Sequence, residues 1–214
     1  MGRGSAQSSI AGPSTERGRR TRRKLLDAAT LEFGENGFHQ TSVSEITRRA
    51  GVALGSFYTY FETKDEIFKA LVRDLSDGVR TAAAERLQSS RGALETERDA
   101  LAAFLHFAWE HQEIYRIIDE AEFVDPESYR THYEQVAARI LARLEAGRAA
   151  GELRDDLEEA HAWAIMGMNV FLGLRYTAWA QGSPDLERVA ALANSILTEG
   201  IATRETPSIS NPSS

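Results

Sequence analysis

The stretch TSVSEITRRAGVALGSFYTYF, Thr41 to Phe61, constrains the fold more than any other part of the chain. Ser42 and Glu45 stand three apart, the spacing of a capping box in which the serine side chain and the glutamate side chain each satisfy the other's free backbone N–H. Val43, Ile46 and Ala50 then fall on one helical face, and Gly51 is placed to end the helix in a left-handed conformation. Only "GVA" remains before the next helix, expected over Leu54 to Phe61. Two short helices joined by so tight a turn make a helix-turn-helix, provided a third helix covers their inner faces.

The flanking sequence supplies that helix. Leu25, Ala28, Ala29 and Phe33 recur at helical spacing, which predicts a helix from about Arg20 to Glu35 stopped by Asn36-Gly37. A second capping box, Thr63 with Glu66, opens a fourth helix carrying Ile67, Phe68, Leu71, Val72 and Leu75 inward. Helices are expected further on at roughly 95–111, 113–123, 126–150, 156–180 and 184–203, with Pro126 and Pro184 in first turns and breaks at Gly151 and Gly182. Strand signals are scarce and no fixed repeat is present. The expected class is all-α, about nine helices in total: an N-terminal three-helix helix-turn-helix head and a C-terminal helical ligand-binding and dimerisation domain. The corresponding boundaries are 19–64 for the head and 65–204 for the second domain, with the fourth helix as connector. Residues 1–18 and 205–214, rich in Gly, Ser, Arg or Pro, are expected to be disordered tails.

A net charge of −7 argues against a nucleic-acid partner until it is divided along the chain. Residues 1–60 hold 9 Lys/Arg against 5 Asp/Glu, whereas residues 61–214 hold 16 against 27. A basic head is thus joined to an acidic body. Electrostatic attraction is screened over roughly 8 Å at physiological salt, so the local charge decides what each part attracts. The chain has no cysteine, which excludes disulfides, thiolate metal sites and cysteine nucleophiles. No segment has the length of apolar sequence that a membrane span needs. With no secretory h-region either, a cytoplasmic location without membrane association is expected.

The expected third helix raises a question of faces that has a chemical answer. Phe57 and Phe61, four apart, share one side and can pack on Val43 and Ile46. Gly55, Ser56, Tyr58, Thr59 and Tyr60 are then turned outward or sideways. Phenol and hydroxyl groups can reach phosphate oxygens or base edges, tyrosine rings can pack on sugar or thymine methyl, and small residues permit close approach to a groove. Thr41 and Ser42 lie at a helix N-terminus, where hydroxyls and free N–H groups suit phosphate. Lys64, in the first turn of the fourth helix, also suits phosphate. Arg19, Arg20, Arg22 and Arg23 precede or open the first helix and can reach backbone or minor groove.

At these residues the chain resembles the TetR/AcrR family of one-component transcription regulators. The resemblance is carried by LLDAATLEFGENGFHQTSVSEITRRAGVALGSFYTYFETKDEIFKAL, residues 25–71: the alanine pair and Phe33, Gly37-Phe38 before "TSV", "I-x-x-x-AGV", and "GSFYTYFETK". It implies a dimeric DNA-binding regulator with a palindromic double-stranded operator and a small-molecule effector, most simply a repressor released by ligand. It places base and phosphate contacts on Thr41, Ser42, Leu54, Gly55, Ser56, Tyr58, Thr59, Tyr60 and Lys64. The chain departs from the family at Ala53, where many members have a polar residue.

Beyond residue 80 the sequence offers candidates of a coarser kind. The segment 160–180 is apolar nearly all round and 186–201 has one apolar stripe, so both are expected at a homodimer interface, with Leu174, Trp179, Val189, Leu192 and Ile196 in contact. A ligand pocket between the middle helices is expected to draw on Phe104, Phe107, Trp109, His111, Tyr115, Trp163, Met166, Asn169 and Phe171. Asn169 and Arg175 stand out as polar groups on an apolar helix that need partners. The segment 111–134 resembles family members whose ligands are acyl-CoA-type or other hydrophobic molecules. A rival reading makes the chain a metal-dependent hydrolase, with His106, His111, His132 and His161 beside Glu110, Asp119 and Glu122; His106 and Glu110 have i, i+4 spacing. No HExxH, GxSxG, Walker or GxGxxG pattern supports it. No metal, cofactor or catalytic residue is therefore expected.

Overall fold

The structure, a computed structural model, describes residues 15–201. Most of the two expected tails lies outside the described residues. Nine α-helices run through the described part: α1 Glu16–Asn36, α2 Val43–Ala50, α3 Leu54–Phe57, α4 Lys64–Leu87, α5 Ala93–Glu110, α6 Glu113–Val124, α7 Pro126–Ala149, α8 Glu159–Gly173 and α9 Leu186–Ile201. No β-strand occurs among the described residues, and a short π-helical segment, Leu174–Ala178, follows α8.

The chain divides into two compact units. Among the described residues, the first contains 15–76 and 113–130, and the second contains 77–112 and 131–201. α4 and α7 are continuous across the division.

In the first unit α1 begins earlier than expected. Thr15 caps it by accepting a hydrogen bond from the Gly18 N–H, and Glu16 receives Arg19 and Arg20, so residues 15–18 are ordered as part of the helix. Phe33 stacks with Phe38 at 5.7 Å and meets Phe68 edge-on at 5.3 Å. Leu25, Ala29, Ile46, Phe57, Ile67, Leu71 and Ile117 complete a solvent-free core. α6 is fastened to the end of α1. Arg116 donates to the Gly34 and Glu35 carbonyls, and the Phe38 N–H donates to Glu120 Oε2 at 2.7 Å. Gly34 leaves room for Glu113, and Gly37, at φ 81°, for Glu120 and Arg116.

The second unit holds two apolar clusters. One joins Ile140 and Leu144 of α7 to Ala162, Ile165 and Met166 of α8 and to Leu197 and Ile201 of α9. The other joins Leu101 and Leu105 of α5 to Leu186, Ala190 and Ala193 of α9. Buried Glu97 of α5 accepts both nitrogens of the Arg143 fork, at 2.6 and 3.0 Å.

Two expected helices differ in detail. The helix expected at 156–180 starts at Glu159 and changes at Leu174 to π geometry, where the Trp179 N–H bonds the Leu174 carbonyl and the Thr177 hydroxyl bonds Gly173. Pro184 lies outside α9: Asp185 accepts from the Arg188 N–H and caps a helix that begins at Leu186.

Candidate nucleic-acid interface

The helix-turn-helix forms as the capping signals require. The Ser42 hydroxyl accepts the Glu45 N–H at 3.2 Å, and Glu45 Oε2 accepts the Ser42 N–H at 2.8 Å. The Ser42 hydroxyl donating to the carboxylate, and then the Ser42 N–H, hold the Glu45 carboxyl below its ordinary range. Gly51, at φ 65°, ends α2, and the Val52 N–H reaches back to the Thr47 carbonyl at 3.1 Å, the bond that closes a Schellman turn. A non-glycine residue would be strained there, although a Cβ would meet nothing within 4 Å.

α3 is shorter than the expected Leu54–Phe61: regular helix stops at Phe57. The Tyr60 N–H shares the Phe57 carbonyl with the Phe61 N–H, and the Thr59 N–H bonds Ser56, so the following turn tightens. Aromatic residues in sequence are weak helix formers, and Ala53 gives the helix no side-chain cap. The division of faces is nevertheless kept. Phe57 and Phe61 are buried, their rings 5.7 Å apart, while Tyr58 is 55% exposed. Leu54, Gly55 and Thr59 are also exposed, with Ser56 and Tyr60 half-buried. A Cβ on Gly55 would touch nothing within 4 Å, so the backbone there is open to a partner.

Two expected phosphate contacts are committed elsewhere. Thr41 is only 2% exposed, and its hydroxyl donates to the Glu32 and Gly37 carbonyls, so it cannot offer that hydroxyl to DNA. Lys64 donates its ammonium to the carbonyls of Phe38 and Thr41, at 2.7 and 2.8 Å, and lies 4.3 Å from the centre of the Phe38 ring. It ties the start of α4 to the loop before α2, leaving one N–H for a further acceptor. Ser42 is exposed, but its hydroxyl also donates to Glu45 at 2.7 Å. Arg20 is exposed and shares Glu16 with Arg19. Arg23 pairs with Asp27 and Asp74, and Arg22 lies over the Phe61 ring.

The sequence reading missed Arg48. Arg48 and Arg49 are adjacent and look equivalent, yet Arg49 bonds buried Glu32 at 2.7 Å and the Glu35 carboxylate in a fork. Arg48 is exposed, and no ion pair with a described residue holds it. Only tertiary structure separates the two.

In the second unit the pocket candidates scatter. Met166 is buried, Phe104 and Trp109 pack on the α5–α9 cluster, and Phe107 fills the space over Gly78 and meets the His111 ring at a tilt, 4.4 Å between centroids. Asn169 has its Oδ1 buried with no hydrogen-bond partner. Tyr115 belongs to the first unit, on α6. Trp163 and Phe171 do not face an interior: Phe171 is 69% exposed. They join Trp179, Leu192 and Ile196 as large exposed apolar side chains of the α8–α9 region. Leu174 and Val189 are half-buried, with Val189 packed on the α5–α9 cluster. The histidines do not gather: His106 bonds Glu187 at 3.0 Å and His161 bonds Arg154 at 2.9 Å. No group of three His, Asp or Glu among the described residues could hold a metal ion, and no described helix is long and apolar enough to cross a membrane.

Known proteins share this arrangement. Residues 25–71 match the family described as bacterial regulatory proteins, tetR family. The HTH-type transcriptional repressor KstR2 of Rhodococcus jostii is 31% identical over 88% of this chain and 94% of its own length. The HTH-type transcriptional regulator YdgC of Bacillus subtilis is 32% identical over 71% of this chain and 78% of its own. Among solved structures, the ketosteroid transcriptional regulator KstR2 of Mycobacterium tuberculosis superposes with a TM-score of 0.65 at 23% identity, covering 91% of this chain and all of that one. The head, the helical second unit and this extent of similarity together place the chain in the TetR family of DNA-binding transcriptional regulators.

Proposed function

We propose that the protein is a ligand-released repressor that binds a palindromic operator as a homodimer in the cytoplasm. The observation that carries the reading is the α3 surface. Two phenyl rings are fixed in the core, so Tyr58, Thr59 and the open backbone at Gly55 face outward together. Backbone phosphates would meet Tyr58, the half-buried Tyr60, Arg48 and the N-terminus of α2. Ser56 and Thr59 are placed for base edges. Trp163, Phe171, Trp179, Leu192 and Ile196 would be covered by the second protomer, since exposed apolar side chains in such number need a partner. KstR2 of R. jostii is named a repressor, and the M. tuberculosis protein a ketosteroid regulator, which supports a hydrophobic effector, aromatic or acyl-CoA-like. Asn169 Oδ1 offers such a molecule a hydrogen-bond acceptor.

Release requires the effector to prefer the conformation that does not fit DNA. α4 and α7 pass unbroken from the effector-holding unit into the unit that carries the head, and α6 is bonded to the end of α1 through Arg116 and to the loop before α2 through Glu120. These elements would transmit the change. Selection of duplexes from a random pool tests the reading. The expected product is a two-fold symmetric site with half-sites about 10 bp, or a multiple, apart. Enrichment of asymmetric or unrelated sequences would reject it.

A further inference from the structure

The second unit contains a half-buried cation that no carboxylate pairs with among the described residues. His132, Val136, Arg139 and Arg143 follow one another on α7 at spacings of four, three and four, so they share one face. Arg143 is satisfied by the buried Glu97 carboxylate. Arg80 of α4 has Asp77 at 3.2 Å. Arg139 is half-buried, and among the described residues no carboxylate lies within ion-pair distance of it and no acceptor bonds it. The charges around it are Arg143, Arg80 and Asp77. Burial, followed by the two neighbouring arginines, pulls its pKa down. His132 is held neutral beside it, its pKa lowered to about 4 by burial and then by Arg139. Three guanidinium groups thus face two carboxylates and a neutral imidazole, leaving one positive charge over.

A partly desolvated guanidinium is ordinarily paired, because losing water costs free energy that only an anion or good acceptors restore. Its planar fork matches a carboxylate through two parallel N–H···O bonds. The surplus of a single charge matches a monoanion. Residues 77–112 and 131–214 carry 11 Lys/Arg against 17 Asp/Glu, a field that opposes polyanions. Val136, one turn away and packed against the α7–α8–α9 cluster, continues the face with apolar surface.

We propose that Arg139 anchors the carboxylate of an amphipathic monocarboxylic acid, whose apolar body runs along α7 past Val136. The assignment rests on the reading that this unit holds an effector, and it narrows that effector to a free acid over its CoA thioester.

The test uses the full chain, unbranched acids from butyrate to palmitate with phenylacetate and benzoate, the matching primary amides, and the matching CoA thioesters. Binding is followed by calorimetry and thermal shift, and operator release by fluorescence anisotropy. At least one acid is expected to bind about tenfold or more tighter than its amide and its thioester. Arg139→Met should abolish that preference while raising the melting temperature of the unliganded protein, because it removes an uncompensated charge. Equal binding of acid and amide, binding by no acid, a preference that survives Arg139→Met, or a lower unliganded melting temperature in that variant would each overturn the assignment. Acid binding that depends on Arg139 but leaves DNA affinity unchanged would keep the site and remove its effector role. Release by an amide or thioester independent of Arg139 would keep the effector reading and remove the site.

Discussion

Replacing Lys64 separates a structural tie from a phosphate contact. Its ammonium makes two hydrogen bonds to backbone carbonyls, at 2.7 and 2.8 Å, and stands over the Phe38 ring. A hydrogen bond to a charged group contributes about 1.5–3 kcal/mol when buried. Lys64 is half-buried and the freed carbonyls can partly rehydrate, so the lower end applies. Lys64→Met keeps the aliphatic stem on Phe38 and removes the charge, both bonds and a cation–π contact worth about 0.5–1 kcal/mol. With two bonds at about 1.5 kcal/mol each and the cation–π contact, the expected loss is about 3.5–4 kcal/mol, seen in urea titration as a lower midpoint at unchanged slope. The salt dependence of operator binding should keep its slope. A pure phosphate contact gives the opposite pair of results: unchanged stability and a slope smaller by about one. That outcome would refute the assignment of Lys64 to the fold.

Other expectations rest on separate observations. Arg48→Ala should leave stability within about 0.5 kcal/mol and reduce the salt slope by about one, whereas Arg49→Ala, which strands buried Glu32, should cost about 2 kcal/mol in the same titration. Ile196→Asp, at a side chain 65% exposed, should leave the circular dichroism spectrum unchanged and convert a dimer to a monomer by light scattering, since an unpaired charge buried in an interface costs about 3 kcal/mol or more. His132 has its folded pKa lowered from 6.5 to about 4, so between those values the unfolded chain binds the proton that the folded chain refuses. Stability should therefore fall as pH drops from 6.5 to 4, by roughly 3 kcal/mol from this residue, and the loss attributable to it should vanish in His132→Gln.

What the sequence discloses about this molecule follows how local each determinant is. Ser42 with Glu45, and Gly51, act through residues a few positions away, and each forms as its spacing implies; Thr63 accepts the Glu66 N–H, but the Glu66 carboxylate takes the Glu62 N–H in place of that of Thr63, so the second box is only half made. The inward set Phe57 and Phe61 is likewise legible, because four-residue spacing fixes a face whether the second half of the segment is helix or turn. The start of α1 was legible too, in Thr15-Glu16 ahead of the arginines, but the polar composition of the tail hid it. Thr41, Lys64 and the choice between Arg48 and Arg49 are different in kind. Each depends on which carbonyl or carboxylate another helix brings near, and adjacent residues of one type carry no local mark of it. In the second unit an apolar residue type does not say which side it faces. Phe171 and Met166 lie on one helix, the former exposed and the latter buried. The π-helical turn at Leu174–Ala178 re-aims the residues after it in a way that a 3.6-residue period does not anticipate.

The most direct measurement is the affinity of the full chain for its selected duplex across a salt series, set beside Tyr58→Ala. Because the α3 surface is held outward by a core that does not include Tyr58, binding should weaken steeply as salt rises, and the variant should bind less tightly at every salt with its unfolding midpoint unmoved. A wild-type chain that binds no duplex at low ionic strength, or a Tyr58→Ala protein that binds as well as the parent, would contradict the account.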